Sequence, residues 1–310
     1  MNKVKVLQIG YGKMGQVWSY VLSTSRLAEI VCVIEPDVGL HNKIKEDLKC
    51  VVYKTIEEID GDFFYDILLD VSPPMNRYKN ISYAFSKKKN ILCEKPLAFN
   101  KNELKLILEI TNQNPDLVIF VNQNYRWFPW VNIVKSIIDR KNKEGFTLDS
   151  IGCNFLQKYI PSGYRLNEEH LYFYDMAIHH IDLFYYLTND ELVKIYAHDS
   201  HDTSSRTALG ASFIGISIKN ISLSYTGSWN SEISMENWSF VFSDGEIVKL
   251  EAGILSSNDN PIPVPVLETD RLLISFKKFL ERIENKDSFG LCSPREIEKV
   301  LVPMLDAEII

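Results

Sequence analysis

Apolar and polar positions over the first 121 residues switch between two periods. Short Val/Ile/Leu-rich runs at 4–9, 30–34, 51–53, 67–71, 90–93 and 117–121 have the length and β-branched content of buried strands. Between them, 14–25, 42–48, 76–88 and 102–111 carry helical spacing. A strand followed by a helix, repeated, predicts a parallel sheet with helices on both faces, a doubly wound α/β domain. After about position 124 the rhythm changes. Strand-like runs at 150–159, 192–198, 207–219, 221–229, 238–243 and 246–250 now follow one another without intervening helices. Period-two alternation such as Ile221-Ser222-Leu223-Ser224-Tyr225-Thr226 predicts a large, mostly antiparallel sheet with one face open to solvent or a partner. Ser243-Asp244-Gly245-Glu246 reads as a hairpin turn. A proline-rich loop over 260–265 leads to two closing helices, 270–284 and 294–308. The expected organisation is a domain over 1–122 and an α+β domain over 123–310, the last helices packing back towards the first domain.

Composition narrows the function. At 310 residues and 45% hydrophobic side chains, the chain is long enough for two cored domains. The net charge of −7 is dispersed, and basic runs such as Lys87-Lys88-Lys89 are too short to track a phosphate backbone, so nucleic acid is not an expected partner. Five widely spaced cysteines without a Cys-x-x-Cys fit free thiols in a reducing compartment and argue against zinc. The opening apolar patch is short and runs into glycines, which makes it a first strand and not a signal peptide. No apolar run approaches the roughly 20 residues that cross a bilayer, and a cytoplasmic location is expected.

The first predicted helix is entered through Gly10-Tyr11-Gly12-Lys13-Met14-Gly15. A G-x-G-x-x-G match carries weight only between a strand and a helix, and it has that context here. The first glycine permits the tight turn, the second lets a pyrophosphate approach the backbone, and the third allows close packing of helix on strand. The helix N-terminus then offers free N–H groups to phosphates. The second strand ends at Glu35, with Asp37 just beyond, about 20 residues after the loop, where a carboxylate accepts from the adenosine ribose hydroxyls. That carboxylate repels a 2′-phosphate, and no Arg or Lys directly follows it, so NAD is expected over NADP. A plain glycine turn beside a solvated Glu is the alternative.

A second feature is Tyr174-Asp175-Met176-Ala177-Ile178-His179-His180-Ile181-Asp182-Leu183-Phe184. On a regular helix Asp175, His179 and Asp182, at i, i+4 and i+7, share one face, and His180 lies about 100° away. Ionisable groups among apolar ones need a reason. General acid/base chemistry, with His179 titrating near neutrality and Asp175 orienting it or the substrate, is the favoured one. A metal site and a satisfied core histidine stay open as alternatives, although no further ligand cluster stands elsewhere in the chain.

The glycine loop, a strand ending Glu94-Lys95-Pro96 and Asp175-x-x-x-His179-x-x-Asp182 together resemble the glucose-fructose oxidoreductase/inositol dehydrogenase/rhizopine catabolism (Gfo/Idh/MocA) family over nearly the whole chain. Val71-Ser72-Pro73-Pro74 and Asn124-Tyr125-Arg126-Trp127-Phe128-Pro129 add to the likeness. The resemblance implies a Rossmann domain holding NAD or NADP and a C-terminal α+β domain whose sheet often forms an oligomer interface. It implies Lys95, Asp175 and His179 as catalytic residues meeting at the nicotinamide: Lys95 positioning a hydroxyl and moving its proton, His179 as acid/base, Asp175 supporting both. Cofactor contacts are expected from Gly10, Tyr11, Gly12, Lys13, Met14, Gly15, Glu35, Ser72, Pro73, Arg77, Glu94, Lys95 and Asn124. Arg77 departs from the family, which often has His there, and Glu168-Glu169-His170-Leu171-Tyr172-Phe173 replaces a glycine-rich approach to the Asp-His helix. Tyr159, Arg165 and His170 are candidate substrate residues. The implied activity is hydride transfer between NAD(H) and a hydroxyl or keto carbon of a sugar, polyol or sugar derivative, nucleotide-linked ones included. An NAD(H)-binding sensor without turnover and an NAD-dependent glycosidase are the rival readings.

Overall fold

A computed structural model of the chain describes residues 3–60, 63–201, 207–285, 290 and 292–310. The chain forms two compact units, Met1–Asn124 with Thr269–Glu296, and Tyr125–Glu268 with Ile297–Ile310.

The first unit holds strands β1 (Val4–Ile9), β2 (Ala28–Ile34), β3 (Val51–Tyr53), β4 (Ile67–Asp70), β5 (Asn90–Glu94) and β6 (Ile119–Asn122), with helices α1 (Lys13–Ser25), α2 (His41–Leu48), α3 (Arg77–Ser86) and α4 (Lys101–Gln113) between them. Among the described residues all its strands are parallel, in the order β3-β2-β1-β4-β5-β6. The alternation led to a doubly wound parallel sheet, and this strand order is the Rossmann one, which reverses direction between β1 and β4. Ligands of such sheets bind at that switch point, beyond the carboxyl ends of the strands. The chain there carries Gly10 after β1, Ser72 after β4, and Glu94-Lys95 at the end of β5. Every residue of β4 is buried, as a central strand covered on both faces requires.

The second unit begins with α5 (Pro129–Glu144), β7 (Leu148–Lys158) and α6 (Ile178–Thr188) and continues through β8 (Leu192–His201), β9 (Ala208–Ser217), β10 (Ser222–Ser228), β11 (Asn230–Phe242), β12 (Ile247–Glu251), β13 (Ile254–Ser257), β14 (Asn260–Ile262), α7 (Arg271–Asn285), α8 (Pro294–Leu305) and β15 (Glu308–Ile309), with α7 counted in the first unit. Among the described residues its strands form one sheet in the order β14-β13-β12-β11-β7-β10-β9-β8-β15. The sheet is mostly antiparallel, as expected, with parallel pairs at β7/β10 and β8/β15. In the first unit Phe279 of α7 stacks on Phe120 of β6 at 6.3 Å.

Two stretches depart from the sequence reading. Helix α5 stands where no element was expected. Pro129 is in its first turn, Gly145 closes it at φ +89°, and Trp130, Val131, Val134 and Ile138 form its buried stripe. The proline-rich stretch contains β14 instead of a loop alone, because Pro261 lies on the outermost strand, where a missing N–H costs nothing. The hairpin from β13 turns through Asn258 and Asp259, both at positive φ, the geometry of a two-residue type I′ turn. The predicted hairpin at Asp244-Gly245 is present, with Gly245 at φ +86°. Among the described residues no helix is long and apolar enough to cross a membrane.

Candidate functional site

The glycine loop is built by close approach. Gly10 sits at φ +96°, and a Cβ there would lie 3.1 Å from Ser72 N and Val71 O. A Cβ at Gly15 would lie 2.5 Å from the Gly10 carbonyl oxygen, which fixes how tightly α1 crosses the turn. Gly12 caps α1 without a side-chain hydrogen bond, and a Cβ there would meet open space. The first-turn N–H groups of α1 therefore border a volume that no side chain fills, as an anion-binding helix start needs. Lys13 is exposed and Met14 half-buried at the same start. Buried Gln8 holds the loop from beneath, its Nε2 donating to Gly10 O (2.8 Å) and Gly15 O (3.2 Å) while its Oε1 accepts from Ser19 Oγ (3.0 Å). The sequence reading missed Gln8; an amide inside Val-Leu-Gln-Ile was the available signal.

Glu35 is wired into this loop. Its Oε2 accepts from Tyr11 N at 2.7 Å and its Oε1 from Asp37 N at 2.9 Å. A carboxylate has about four acceptor positions, so each oxygen retains one for a ligand hydroxyl. The Tyr11 ring is buried, and burial together with nearby Asp47 raises its hydroxyl pKa. Tyr11 thus borders the loop through its backbone, with its side chain turned to Asp47 at 3.3 Å.

Beyond β4, Asp70 organises the turn. Ser72 donates its N–H (3.0 Å) and hydroxyl (2.6 Å) to Asp70 Oδ1, and Asn80 Nδ2 donates to Oδ2 at 2.9 Å. Arg77, expected among the cofactor contacts, lies at 0% exposure with Nη1 2.8 Å from Asp70 Oδ2 and Nη2 donating to Ser72 O. Its guanidinium supports the Ser72-Pro73 turn from behind and is closed to a ligand. Burial works against its charge, and Asp70 outweighs it, so the pKa is raised. Glu94 is similarly committed: Oε1 accepts from Trp18 Nε1 (2.7 Å) and Asn122 Nδ2 (2.8 Å), tying α1 and β6 to the end of β5. Lys95 follows, half-buried, before a cis Lys95-Pro96 bond. Asn122 Oδ1 and Asn124 Oδ1 are buried acceptors with no hydrogen-bond partner among the described residues. The open glycine loop, the Glu35 acceptors and these two amide oxygens fit a dinucleotide.

In the second unit the Asp-His helix is irregular. Phe173–Ala177 is a π-turn that passes into α6 at Ile178. A π-turn closes i→i+5 and so widens the turn that carries Asp175 ahead of His179 and Asp182. Asp175 accepts from Arg165 Nε (2.9 Å) and Nη2 (3.3 Å). Burial lowers and Asp175 raises the Arg165 pKa, and the net direction is up. Asp182 accepts from Arg126 Nε (2.8 Å) and Nη2 (2.6 Å), both side chains fully buried, which makes it structural. His179 lies flat against Tyr125 at 4.5 Å and 11°. Tyr159 covers Trp229 at 4.6 Å; burial raises its pKa, Arg165 lowers it and Asp175 raises it, with a net increase. His170 Nδ1 is 2.6 Å from Asp199 Oδ2. The structure thus groups Tyr159, Arg165 and Asp175 electrostatically and gives His170 a separate carboxylate. Tyr125 and Arg126 were not singled out as site residues from sequence; their partners lie more than 50 positions away. Among the described residues no group of three or more His, Cys, Asp or Glu could hold a metal.

Residues 4–123 match the model of an oxidoreductase family with an NAD-binding Rossmann fold. The chain is 30% identical over 139 residues to glucose-6-phosphate 3-dehydrogenase of Bacillus subtilis (strain 168), a stretch covering 44% of this chain and 38% of that relative. The match therefore spans well under half the relative's length. Among solved structures, UDP-N-acetylglucosamine 3-dehydrogenase GnnA from Acidithiobacillus ferrooxidans superposes with a TM-score of 0.80 at 16% identity, covering 99% of this chain and 97% of that one. GenD2 from gentamicin A biosynthesis, solved in complex with NAD, gives 0.83 at 12% identity over 99% and 93% of the two chains. At these identities the likeness is one of fold.

Proposed function

We propose that the protein is an NAD(H)-dependent dehydrogenase or reductase acting on a CH–OH carbon of a sugar, polyol or sugar derivative, starting from the match of residues 4–123 to the Gfo/Idh/MocA oxidoreductase family with its NAD-binding Rossmann fold. The observation that carries this reading is the dinucleotide cradle of the first unit, where Gly12 leaves the start of α1 open and Glu35 keeps acceptors beside it. When bound, the nicotinamide accepts or supplies the hydride. The chain's own residues must then hold the hydroxyl and move its proton, because hydride leaves carbon only as the O–H proton leaves too. Lys95, at the carboxyl end of β5, is assigned to hold that oxygen and stabilise its developing negative charge. His179 is assigned as the acid/base and Asp175, paired with Arg165 at 2.9 Å, as support. Tyr159, Arg165 and His170 are the proposed substrate contacts. Both named relatives are dehydrogenases of sugar derivatives, which supports that substrate class. A panel of polyols, sugar phosphates and nucleotide sugars, offered with NAD and with NADP and followed by NADH absorbance, tests the reading. Net reduction of NAD by at least one member is expected; no turnover in either direction across the panel would leave the sensor reading standing.

We also place the protein in the cytoplasm, in keeping with its free cysteines, and assign homo-oligomer contacts to the open face of the large sheet. Tyr196 of β8 and Ile214 of β9 are cross-strand neighbours there, flanked by exposed Val193, Ile216 and Ile218. An apolar row of this kind in a solvated sheet is a partner surface. Ile214→Lys is expected to reduce the molar mass seen by light scattering; an unchanged mass would assign the contact elsewhere.

A further inference from the structure

His179 and His180 are adjacent in sequence but lie in different surroundings. The His180 side chain is fully buried, its ring centroid 5.0 Å from those of Phe155 and Tyr225 and 5.6 Å from those of Trp238 and Tyr125. Neither ring nitrogen has a hydrogen-bond partner among the described residues. Burial brings the pKa down to about 3, with the Met176 carbonyl pulling the other way, so the ring is neutral at physiological pH. A neutral imidazole still carries one N–H, and the Met176 carbonyl is the acceptor that acts on it.

Tyr125 links this cage to His179. One face of its ring lies on His179 at 4.5 Å and 11°, while it meets His180 at 5.6 Å and 87°, and Phe128 holds it edge to face at 5.1 Å. Stacking fixes the plane of an imidazole through its ring face and not through its nitrogens. Proton transfer depends on that plane, since a catalytic group must be held within roughly 10–20° of its productive orientation.

Resting on the acid/base reading of His179, we propose that Tyr125 is a positioning residue that sets the plane of the His179 imidazole, with His180 as an uncharged brace that takes no part in proton transfer. The paired histidines then divide into one reacting group and one packing group. The stack needs an aromatic ring at 125, and titration at 180 plays no part in it.

The test compares Tyr125→Phe, Tyr125→Leu, His180→Phe and His179→Asn in the full chain, measuring kcat, KM, NADH affinity and the NMR shifts of the His179 ring protons. Tyr125→Phe keeps the stack and is expected to retain kcat, the ring-current shift and NADH affinity. Tyr125→Leu is expected to lower kcat by about 10²-fold with KM and NADH affinity unchanged, as misplacement of a reacting group does, and to remove the ring-current shift. His180→Phe is expected to keep kcat within about threefold, far from the ~10²–10⁴-fold loss that removing an acid/base group brings. Wild-type kcat in Tyr125→Leu, or a folded but inactive His180→Phe, would overturn the proposal. Should Tyr125→Leu not fold, Tyr125→Phe and His180→Phe decide, because loss of turnover in either contradicts it. Failure of the parent reading looks different: His179→Asn then turns over at the wild-type rate, whereas failure of the brace leaves His179→Asn inactive and Tyr125→Leu active.

Discussion

Replacing Asp182 with Asn separates architecture from chemistry on the helix that carries His179. Arg126 reaches Asp182 through two hydrogen bonds, 2.8 and 2.6 Å, with both side chains at 0% exposure and the Tyr186 ring 4.9 Å from the guanidinium. An amide at 182 keeps one acceptor but turns an NH2 towards a guanidinium that can only donate. The guanidinium charge stays buried without its counter-charge. Breaking a fully buried pair from one side costs about 3–5 kcal/mol. At about 2–4 °C per kcal/mol for a domain of 150–250 residues, the unfolding midpoint falls by roughly 6–20 °C. Urea and thermal unfolding followed by circular dichroism measure this, with an unchanged denaturant slope as the control for two-state behaviour. The double variant Arg126→Met/Asp182→Leu, which removes both charges, is expected to recover most of the loss. Asp175→Asn makes the opposite contrast, since its pair with Arg165 is shorter of burial and lies among the proposed substrate contacts: a smaller fall in stability and a larger fall in turnover. If Asp182→Asn unfolds within about 1 kcal/mol of wild type, the value of an ordinary hydrogen bond, the pair is not the buried tie that the distances indicate.

Glu35→Gln exchanges one of two backbone-accepting oxygens for a donor; losing a charge-assisted hydrogen bond of about 1.5–3 kcal/mol should weaken NADH binding at least tenfold and narrow its advantage over NADPH, both read by fluorescence titration. His180 makes stability pH-dependent in a known direction. Its folded pKa of about 3 lies below the ordinary 6.5, so between those values the unfolded chain binds the extra proton and stability falls as pH falls, by about 1.4 kcal/mol per unit. Wild type should thus lose about 2 kcal/mol more than His180→Phe between pH 7 and pH 5 in urea titrations, and equal losses would contradict the buried neutral ring.

Local rules made the first unit legible. Strands of β-branched residues, glycines at φ-demanding turns and an acid after β2 are features a short window contains, and the doubly wound parallel sheet followed from them. Helix α5 had its signals too, Pro129 at the start and Gly145 past the end, but the Phe128-Pro129 pair reads equally as a break, and Lys135 to Lys143 dilute the apolar stripe. The ties that define the site were not local. Arg126 and Asp182 are 56 positions apart, Trp18 and Glu94 are 76, and no periodicity connects them. The π-turn at Phe173–Ala177 was not legible either, because helical spacing assumes a regular i→i+4 ladder throughout. Motif matching named Lys95 and His179, while burial alone shows that Arg77 and Asp182 are structural.

Lys95→Ala tests the central claim most directly. On a substrate that wild type oxidises with NAD, turnover is expected to fall by about 10²–10⁴-fold, the range for losing an acid/base group, with NADH binding still measurable and the unfolding midpoint unchanged. Wild-type turnover in Lys95→Ala would contradict it.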